Sequence, residues 1–169
     1  MTNPLPTLSL DETGSLVPAK PKQWIIGFVP PIEAAFWHRF AHGNHKHCFA
    51  MRPIDDGKLW LLFEPWWSRL MVTVIDYNQA RKFLAWTIRG DALVVREHIP
   101  GRSSQFRGWA SCAALVAHLL GRKYQVWSPH SLYKRLRKEP GTAILDSRAY
   151  IDSLDRRLRR QPEHSARAA

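Results

Sequence analysis

Three strand-length apolar runs that follow one another closely constrain the fold more than any other feature of the sequence. They span residues 47–52, 58–64 and 70–75. The first two are separated by Asp55-Asp56-Gly57, a combination that favours a tight hairpin turn. Runs with such short connections can pair only as antiparallel neighbours, since parallel strands need a long crossover. The centre of the chain is therefore predicted to form an antiparallel sheet.

Helical segments flank these strands, and the mixture predicts an α+β domain with helices packed on the sheet. Asp76 is a good N-cap for a helix from Tyr77 to about Arg89. Ser111 caps a short apolar helix from Cys112 to Leu120. The other predicted elements are strands at 24–29, 91–99 and 124–127, a helix at 31–41, a helix that starts at Ser128-Pro129, and an amphipathic helix with Ile151, Leu154 and Leu158.

Proline content and charge divide the 169 residues into three parts. Residues 1–23 contain four prolines and few large apolar side chains, which is typical of a flexible, extended arm. Residues 24–140 hold most of the predicted strands and helices and form the domain. Residues 141–169 form a basic C-terminal helix and tail with the run Arg156-Arg157-Leu158-Arg159-Arg160. In a chain of net charge +11, this run can bind a phosphate backbone or an acidic partner surface, or it can simply be a solvated helix end.

Several classes of protein are disfavoured by what the sequence lacks. Its two cysteines are too few for a disulfide scaffold and suggest a reducing compartment. No apolar run approaches the ~20 residues that a membrane span needs, and the N-terminus shows no secretion signal. The glycines are scattered among turns and caps, so no phosphate-binding loop is predicted. We therefore expect neither membrane association nor nucleotide hydrolysis.

Cys112 is the candidate nucleophile because of its position at the start of a helix. Backbone N–H groups point outward there, and the helix dipole favours an anion, so both lower the pKa of a thiol. The alternative is a structural cysteine, since Cys is among the most buried residue types and Cys112-Ala113-Ala114-Leu115 resembles tight helix packing.

His47 is the candidate base, and the predicted hairpin supplies a carboxylate for it. A turn centred between Asp55 and Asp56 places Glu64 directly opposite His47, on the same face of the sheet. Glu64 can then hold the imidazole tautomer and support the imidazolium. A register slip of one residue would break this pair, and other polar residues near that strand end, such as Asp76, are the alternatives.

An acyl-transfer site also needs donors for the developing oxyanion. The backbone N–H of Cys112 is the natural first donor, and the Gln105 side-chain amide in the preceding loop can supply a second; a solvated loop residue is the alternative for Gln105. Zinc is the main alternative use of the histidines, because His38 and His42 lie four residues apart on a predicted helix. No second helix or CxxC pair completes a familiar zinc spacing, so neither a metal nor another cofactor is predicted.

The segment His47-Cys48-Phe49-Ala50-Met51 resembles the histidine strand of circularly permuted papain-like cysteine hydrolases, and Ser111-Cys112-Ala113-Ala114-Leu115-Val116 resembles their cysteine helix. This group includes lecithin–retinol acyltransferases and permuted bacterial cell-wall amidases and endopeptidases. The resemblance covers roughly residues 45–138, with the histidine strand first, as in that group. Glu64 stands where the group's third polar residue falls, although that residue is often His, Asn or Gln. The resemblance implies a permuted papain-like domain that cleaves an amide or ester bond, with peptidoglycan among the candidate substrates, through a Cys-His-Glu site.

A second likeness implies a function of another class. The segment Cys112–Gly121, together with the Ser128-Pro129 helix start, resembles short proteins from tailed-phage structural gene clusters. This implies a virion-associated structural or interaction protein that uses the fold without turnover, in the virion or the cytoplasm. Residues 1–23 would then dock on other assembly proteins. The third alternative is a basic nucleic-acid-binding module that contacts phosphates through the terminal arginine run.

Overall fold

The computed structural model describes residues 20–31, 43–66, 69–98, 111–123 and 126–160. The predicted helix at 31–41 and the loop with Gln105 lie almost entirely outside these residues, as do 1–19 of the predicted arm and 161–169 of the predicted tail. The described residues form six β-strands and four α-helices. These elements are β1 (Gln23–Val29), β2 (His47–Asp55), β3 (Leu59–Pro65), β4 (Leu70–Asp76), α1 (Tyr77–Thr87), β5 (Asp91–Arg96), α2 (Cys112–Leu119), α3 (Pro129–Leu136), β6 (Ala143–Ile144) and α4 (Ser147–Arg160).

The strands form one sheet in the order β4-β3-β2-β1-β5-β6, and every neighbouring pair is antiparallel. The three predicted runs form the meander β2-β3-β4, while β1 lies at the centre of the sheet between β2 and β5. The prediction of an α+β fold with an antiparallel sheet is confirmed.

The β2–β3 hairpin turns where the sequence predicted, but its register differs from the predicted one. Asp56 and Gly57 both have positive φ, and Lys58 N donates to Asp55 O over 2.6 Å. The turn is centred one residue later than expected, and a bulge lies between Pro53 and Asp55. Met51 therefore pairs with Leu62, and the same register places Phe49 opposite Glu64. The prediction that Glu64 lies directly opposite His47 is wrong; the two are diagonal neighbours, two positions apart, and still share a face.

Both faces of the sheet are buried at β1 and the first half of β2, because helices pack on each side there. Alternate residues of β2 point to opposite sides: Cys48 and Ala50 join the cluster with α2 and α3, whereas Phe49 and Met51 join the cluster with α1 and α4. Two-sided burial explains why β1 and residues 48–51 of β2 are nearly continuous apolar runs. His47 is the first residue of β2, so it lies at the end of this double-sided core.

Local capping fixes where the helices begin. The Asp76 carboxylate accepts from Gln79 N at the start of α1, and the Ser111 hydroxyl accepts from Ala114 N at the start of α2, as the sequence predicted. In α4, Ile151 and Leu154 are buried. None of the helices among the described residues is long and apolar enough to cross a membrane.

Two elements differ from the sequence prediction. A strand was expected over 124–127, but Val126 and Trp127, its described residues, belong to no strand, and Trp127 is 72% exposed without a neighbouring strand to pair with. The two-residue strand β6 was not expected. It exists only because Ala143 and Ile144 pair with β5, a tertiary contact that no local pattern announces.

Candidate active site

The imidazole of His47 is held at the start of β2 by two indole rings. It stacks on Trp66 with ring centroids 5.2 Å apart and on Trp86 of α1 with centroids 5.8 Å apart, each at an interplanar angle of 25°. Continued by three residues, the β2–β3 register places Trp66 opposite His47, which accounts for the first contact. The two indoles fix the plane of the imidazole before any polar contact is considered.

The Glu64 carboxylate is the acidic partner of His47. His47 Nε2 lies 3.4 Å from Glu64 Oε1, and the two side chains are 13% and 3% exposed. Among the described residues, Nε2 makes no hydrogen bond of good geometry, so this contact is an ion pair rather than a well-directed hydrogen bond. A buried carboxylate at this distance favours the imidazolium over the neutral ring.

Cys112 meets His47 because both are terminal residues of their elements. Cys112 is the first residue of α2, partly buried at the N-terminus of that helix, and α2 packs on β2 and β3. Burial lowers the pKa of His47, but the hydrogen bond to Cys112 and the nearby Glu64 carboxylate outweigh it and raise that pKa to about 9. The ring is therefore protonated at neutral pH.

Cys48 is the other close neighbour of Cys112. A hydrogen bond from the Cys48 thiol is the largest cause that lowers the pKa of Cys112, which falls well below the usual thiol range. Burial opposes this shift, whereas His47 and the backbone of Cys48 reinforce it. The fully buried Cys48 keeps its proton, since burial raises its own pKa. The arrangement supports a Cys112 thiolate beside a His47 imidazolium.

The structure brings together three of the predicted site residues: Cys112, His47 and Glu64. It also adds Cys48, which sequence reasoning assigned to packing alone because it points to the opposite face from His47. Cys48 is indeed buried, but α2 docks on that same face and brings the Cys112 thiol to it. The sequence contains one signal for the contact between Cys48 and Cys112: Cys48 directly follows His47, the predicted base.

The other predicted site residues lie elsewhere. Gln105 is outside the described residues. The four arginines of the terminal run are exposed on α4, which packs with α1 rather than with α2. Those arginines are Arg156, Arg157, Arg159 and Arg160.

A metal centre finds no support in the described part of the chain, where no three His, Cys, Asp or Glu side chains are arranged to hold an ion. His38 and His42, the pair that suggested zinc, lie outside those residues. Comparison of the chain with family models, with curated proteins and with solved structures gave no match. The chemistry of the site is therefore inferred from its own geometry.

Proposed function

We propose that this protein is a cysteine hydrolase that cleaves an amide or ester bond, with Cys112 as nucleophile, His47 as acid and base, and Glu64 as the group that orients and charges His47. One observation carries the proposal: the partly buried imidazole of His47 contacts both the Glu64 carboxylate and the Cys112 thiol at a helix N-terminus. A nucleophile, a base and an orienting group in mutual contact are the parts that covalent acyl transfer requires.

The charges of the resting site suit the first chemical step. The Cys112 thiolate adds to the substrate carbonyl carbon, and the His47 imidazolium gives its proton to the departing nitrogen or oxygen as that bond breaks. A thioester on Cys112 and a neutral His47 remain. His47 then takes a proton from water while the water oxygen attacks the thioester. The acid is released, and the thiolate and imidazolium are restored.

The N-terminus of α2 supplies the environment for the tetrahedral intermediate. The first N–H groups of a helix have no partner within the helix, and the helix dipole favours a negative charge near them. Ser111 already accepts from Ala114 N, so the Cys112 N–H is the donor we assign to the oxyanion. A side-chain donor from Gln105 remains a prediction from the sequence.

We further propose that the domain has the permuted papain-like arrangement, with peptidoglycan as a candidate substrate. The proposal is supported by chain order and packing: β2 carries the histidine, precedes α2 and packs against it. The third residue lies on β3, the strand that follows β2.

Acylation by p-nitrophenyl acetate tests the proposed function. After rapid mixing and acid quench, mass spectrometry of peptides should find one acetyl group on Cys112. Cys112→Ser should lose this label, whereas the matched control Cys48→Ser should keep it on Cys112. Acetylation of Cys48 in preference would contradict the assignment. A chain that folds but acquires no acetyl group would favour the structural or interaction protein without turnover.

A second candidate function rests on the exposed arginines of α4. The last turn of the helix carries Arg157, Arg159 and Arg160, where cations are also favoured by the helix dipole. We propose that this surface binds a nucleic-acid backbone or an acidic protein surface. Affinity for a generic DNA duplex should fall steeply with salt and should weaken in Arg159→Gln/Arg160→Gln. The control Arg148→Gln, on the exposed first turn of α4, should bind like wild type; equal binding by both variants would reject this proposal.

A further inference from the structure

A hydrogen-bonded group of three titratable side chains lies at the same end of the sheet as His47. The proposed hydrolase does not use it. His45 stands two residues before β2, Asp91 begins β5, and His130 is in the first turn of α3. His45 Nε2 is 2.7 Å from Asp91 Oδ2, and His45 Nδ1 is 3.2 Å from His130 Nδ1. The three groups therefore run in line, from carboxylate to imidazole to imidazole.

His45, the middle residue of this group, is fixed in the core. His45 is only 4% exposed. Its ring packs edge-on to Tyr133 at 4.7 Å and against Phe28 at 5.7 Å between centroids. Both of its nitrogens are engaged, one by Asp91 and one by His130. His45 therefore links Asp91 to His130 through hydrogen bonds on both sides of its ring. His130 itself is partly exposed.

The backbone under His130 is adapted to hold its ring. Gly43 has φ +91°, a conformation that side-chain-bearing residues rarely adopt, and a Cβ there would overlap the His130 ring. The ring thus rests directly on the glycine backbone. Contact with the Gly43 backbone and the hydrogen bond to His45 together set the orientation of the His130 ring.

The hydrogen bonds determine where the protons lie when both rings are neutral. An ionised carboxylate can only accept, so His45 Nε2 must donate to Asp91. A neutral imidazole has one donor and one acceptor, so His45 Nδ1 must accept. His130 Nδ1 then donates to it. The remaining nitrogen, His130 Nε2, is left with a lone pair and no proton.

We infer that His130 Nε2 is a second proton-accepting site, preset by His45 and Asp91 to bind a ligand through an O–H or N–H donor. The site is a neighbour of the candidate nucleophile, because Phe28 contacts His45 and is the Cα partner of Cys48, the residue that lies beside Cys112. It is separate from the Cys112 site in its residues and in its test.

The charges around His130 agree with a neutral ring. Burial lowers the pKa of His130, and the positive charge of Lys134 lowers it further, with Lys46 acting in the same direction. Asp91 alone opposes them. Tyr133 and Arg137, on the same helix, are the other titratable or charged groups near the Asp91 end of this cluster. Protonation of His130 is therefore disfavoured at neutral pH, and its Nε2 lone pair is available.

Long-range ¹H–¹⁵N spectra of the protein labelled with ¹⁵N-histidine, recorded at mildly alkaline pH, test this inference. The His130 resonances are assigned by their loss in His130→Gln, with the exposed His98→Gln as the control that removes a different set. Wild type should show His130 protonated at Nδ1 and bare at Nε2, the opposite of the tautomer that predominates in free histidine. His45→Phe keeps a ring against Phe28 and Tyr133 but removes the acceptor, so His130 should return to the Nε2–H tautomer.

Modification by diethyl pyrocarbonate, which attacks an unprotonated imidazole nitrogen, gives a second readout. His130 should be carbethoxylated several-fold faster in wild type than in His45→Phe, as measured by peptide mass spectrometry. An Nε2–H tautomer in wild type would overturn the inference, and this result needs only the assignment from His130→Gln, whether or not His45→Phe folds. An unchanged tautomer in folded His45→Phe would overturn it as well. Neither result bears on acylation of Cys112, so failure here and failure of the proposed hydrolase are distinguishable.

Discussion

Two imidazoles at one end of the sheet are coupled to carboxylates in different ways. His47 touches the Glu64 carboxylate itself and faces the Cys112 thiol, and its pKa is raised to about 9. His130 reaches Asp91 only through the ring of His45, and its pKa is lowered by burial and by nearby cations. One ring is therefore preset as a proton donor and the other as a proton acceptor.

The difference shows that direct contact with an anion raises the pKa of an imidazole, whereas a hydrogen-bonded path to an anion through another ring does not. A carboxylate or thiolate at contact distance stabilises the imidazolium directly, which offsets the cost of burial. An intervening neutral ring transmits the orientation of the hydrogen bond but little of the charge, since Coulomb energy falls with distance. The comparison can be tested by removing each anion or connector in turn.

The largest effect is expected from Cys112→Ala, which removes both the proposed nucleophile and the anion beside His47. Hydrolysis should fall on the order of 10³-fold or more. The His47 pKa, about 9 in wild type, should move down, because the thiolate that favours the imidazolium is gone. Rates on p-nitrophenyl acetate and NMR titration of His47 measure the two effects. A His47 that still titrates near 9, or a His130 that shifts equally, would break the comparison.

Glu64→Gln should lower the rate by ~10²-fold, since the imidazolium loses its counter-charge and its orienting group. The active form needs a protonated His47, so activity is lost as pH rises through the His47 pKa. Because Gln cannot supply the negative charge, that pKa falls, and the alkaline limb of the pH–rate profile should move to lower pH. The control is Glu97→Gln, whose carboxylate holds Lys22 N and Trp24 Nε1 near the opposite end of β1. An alkaline limb that stays in place would remove Glu64 from its assigned role.

Local patterns predicted this candidate site better than they predicted the exact strand register. Glu64 was assigned to the wrong partner position, yet it reached His47 because side chains alternate with a period of two and the error was two residues. Cys112 was found because the Ser111 cap is a feature of neighbouring residues alone. Such signals survive small errors in long-range geometry.

Several contacts that sequence reasoning missed depend on how elements distant in the chain pack together. The Trp86 ring reaches His47 from α1, and the Cys48 thiol meets Cys112 only once α2 lies on β2. His45 and His130 are 85 residues apart in the chain. No periodicity, cap or turn in the sequence predicts such tertiary contacts, because they follow from the packing of whole elements. The same reason applies to the two-residue strand β6.

Cys48→Ala removes a neutral hydrogen-bond donor to Cys112, whereas the two preceding variants remove an anion beside His47. The Cys48 hydrogen bond is the largest cause that lowers the Cys112 pKa, so alkylation of Cys112 should need higher pH in this variant. A bond to a charged group is worth ~1.5 kcal/mol, which corresponds to a ~10-fold slower iodoacetamide reaction below neutral pH. Cys48→Ser keeps a donor and should lose less. Identical pH profiles for Cys112 alkylation in wild type, Cys48→Ala and Cys48→Ser would show that Cys48 has no part in its activation.

The smallest effect is expected from Gly43→Ala, which disturbs His130 without touching either carboxylate. Gly43 and Gly141 both have positive φ, and nothing lies within 4 Å of a Cβ built on Gly141, whereas one on Gly43 meets the His130 ring. Each alanine should cost ~1 kcal/mol in the free energy of unfolding from its backbone conformation alone. Gly43→Ala should cost ~1 kcal/mol more, because the ring must shift. Urea unfolding of the two variants measures the difference. His130 but not His47 should change its chemical shifts in Gly43→Ala; equal costs in the two variants, or a matching change at His47, would mean that the two imidazole sites are not held independently.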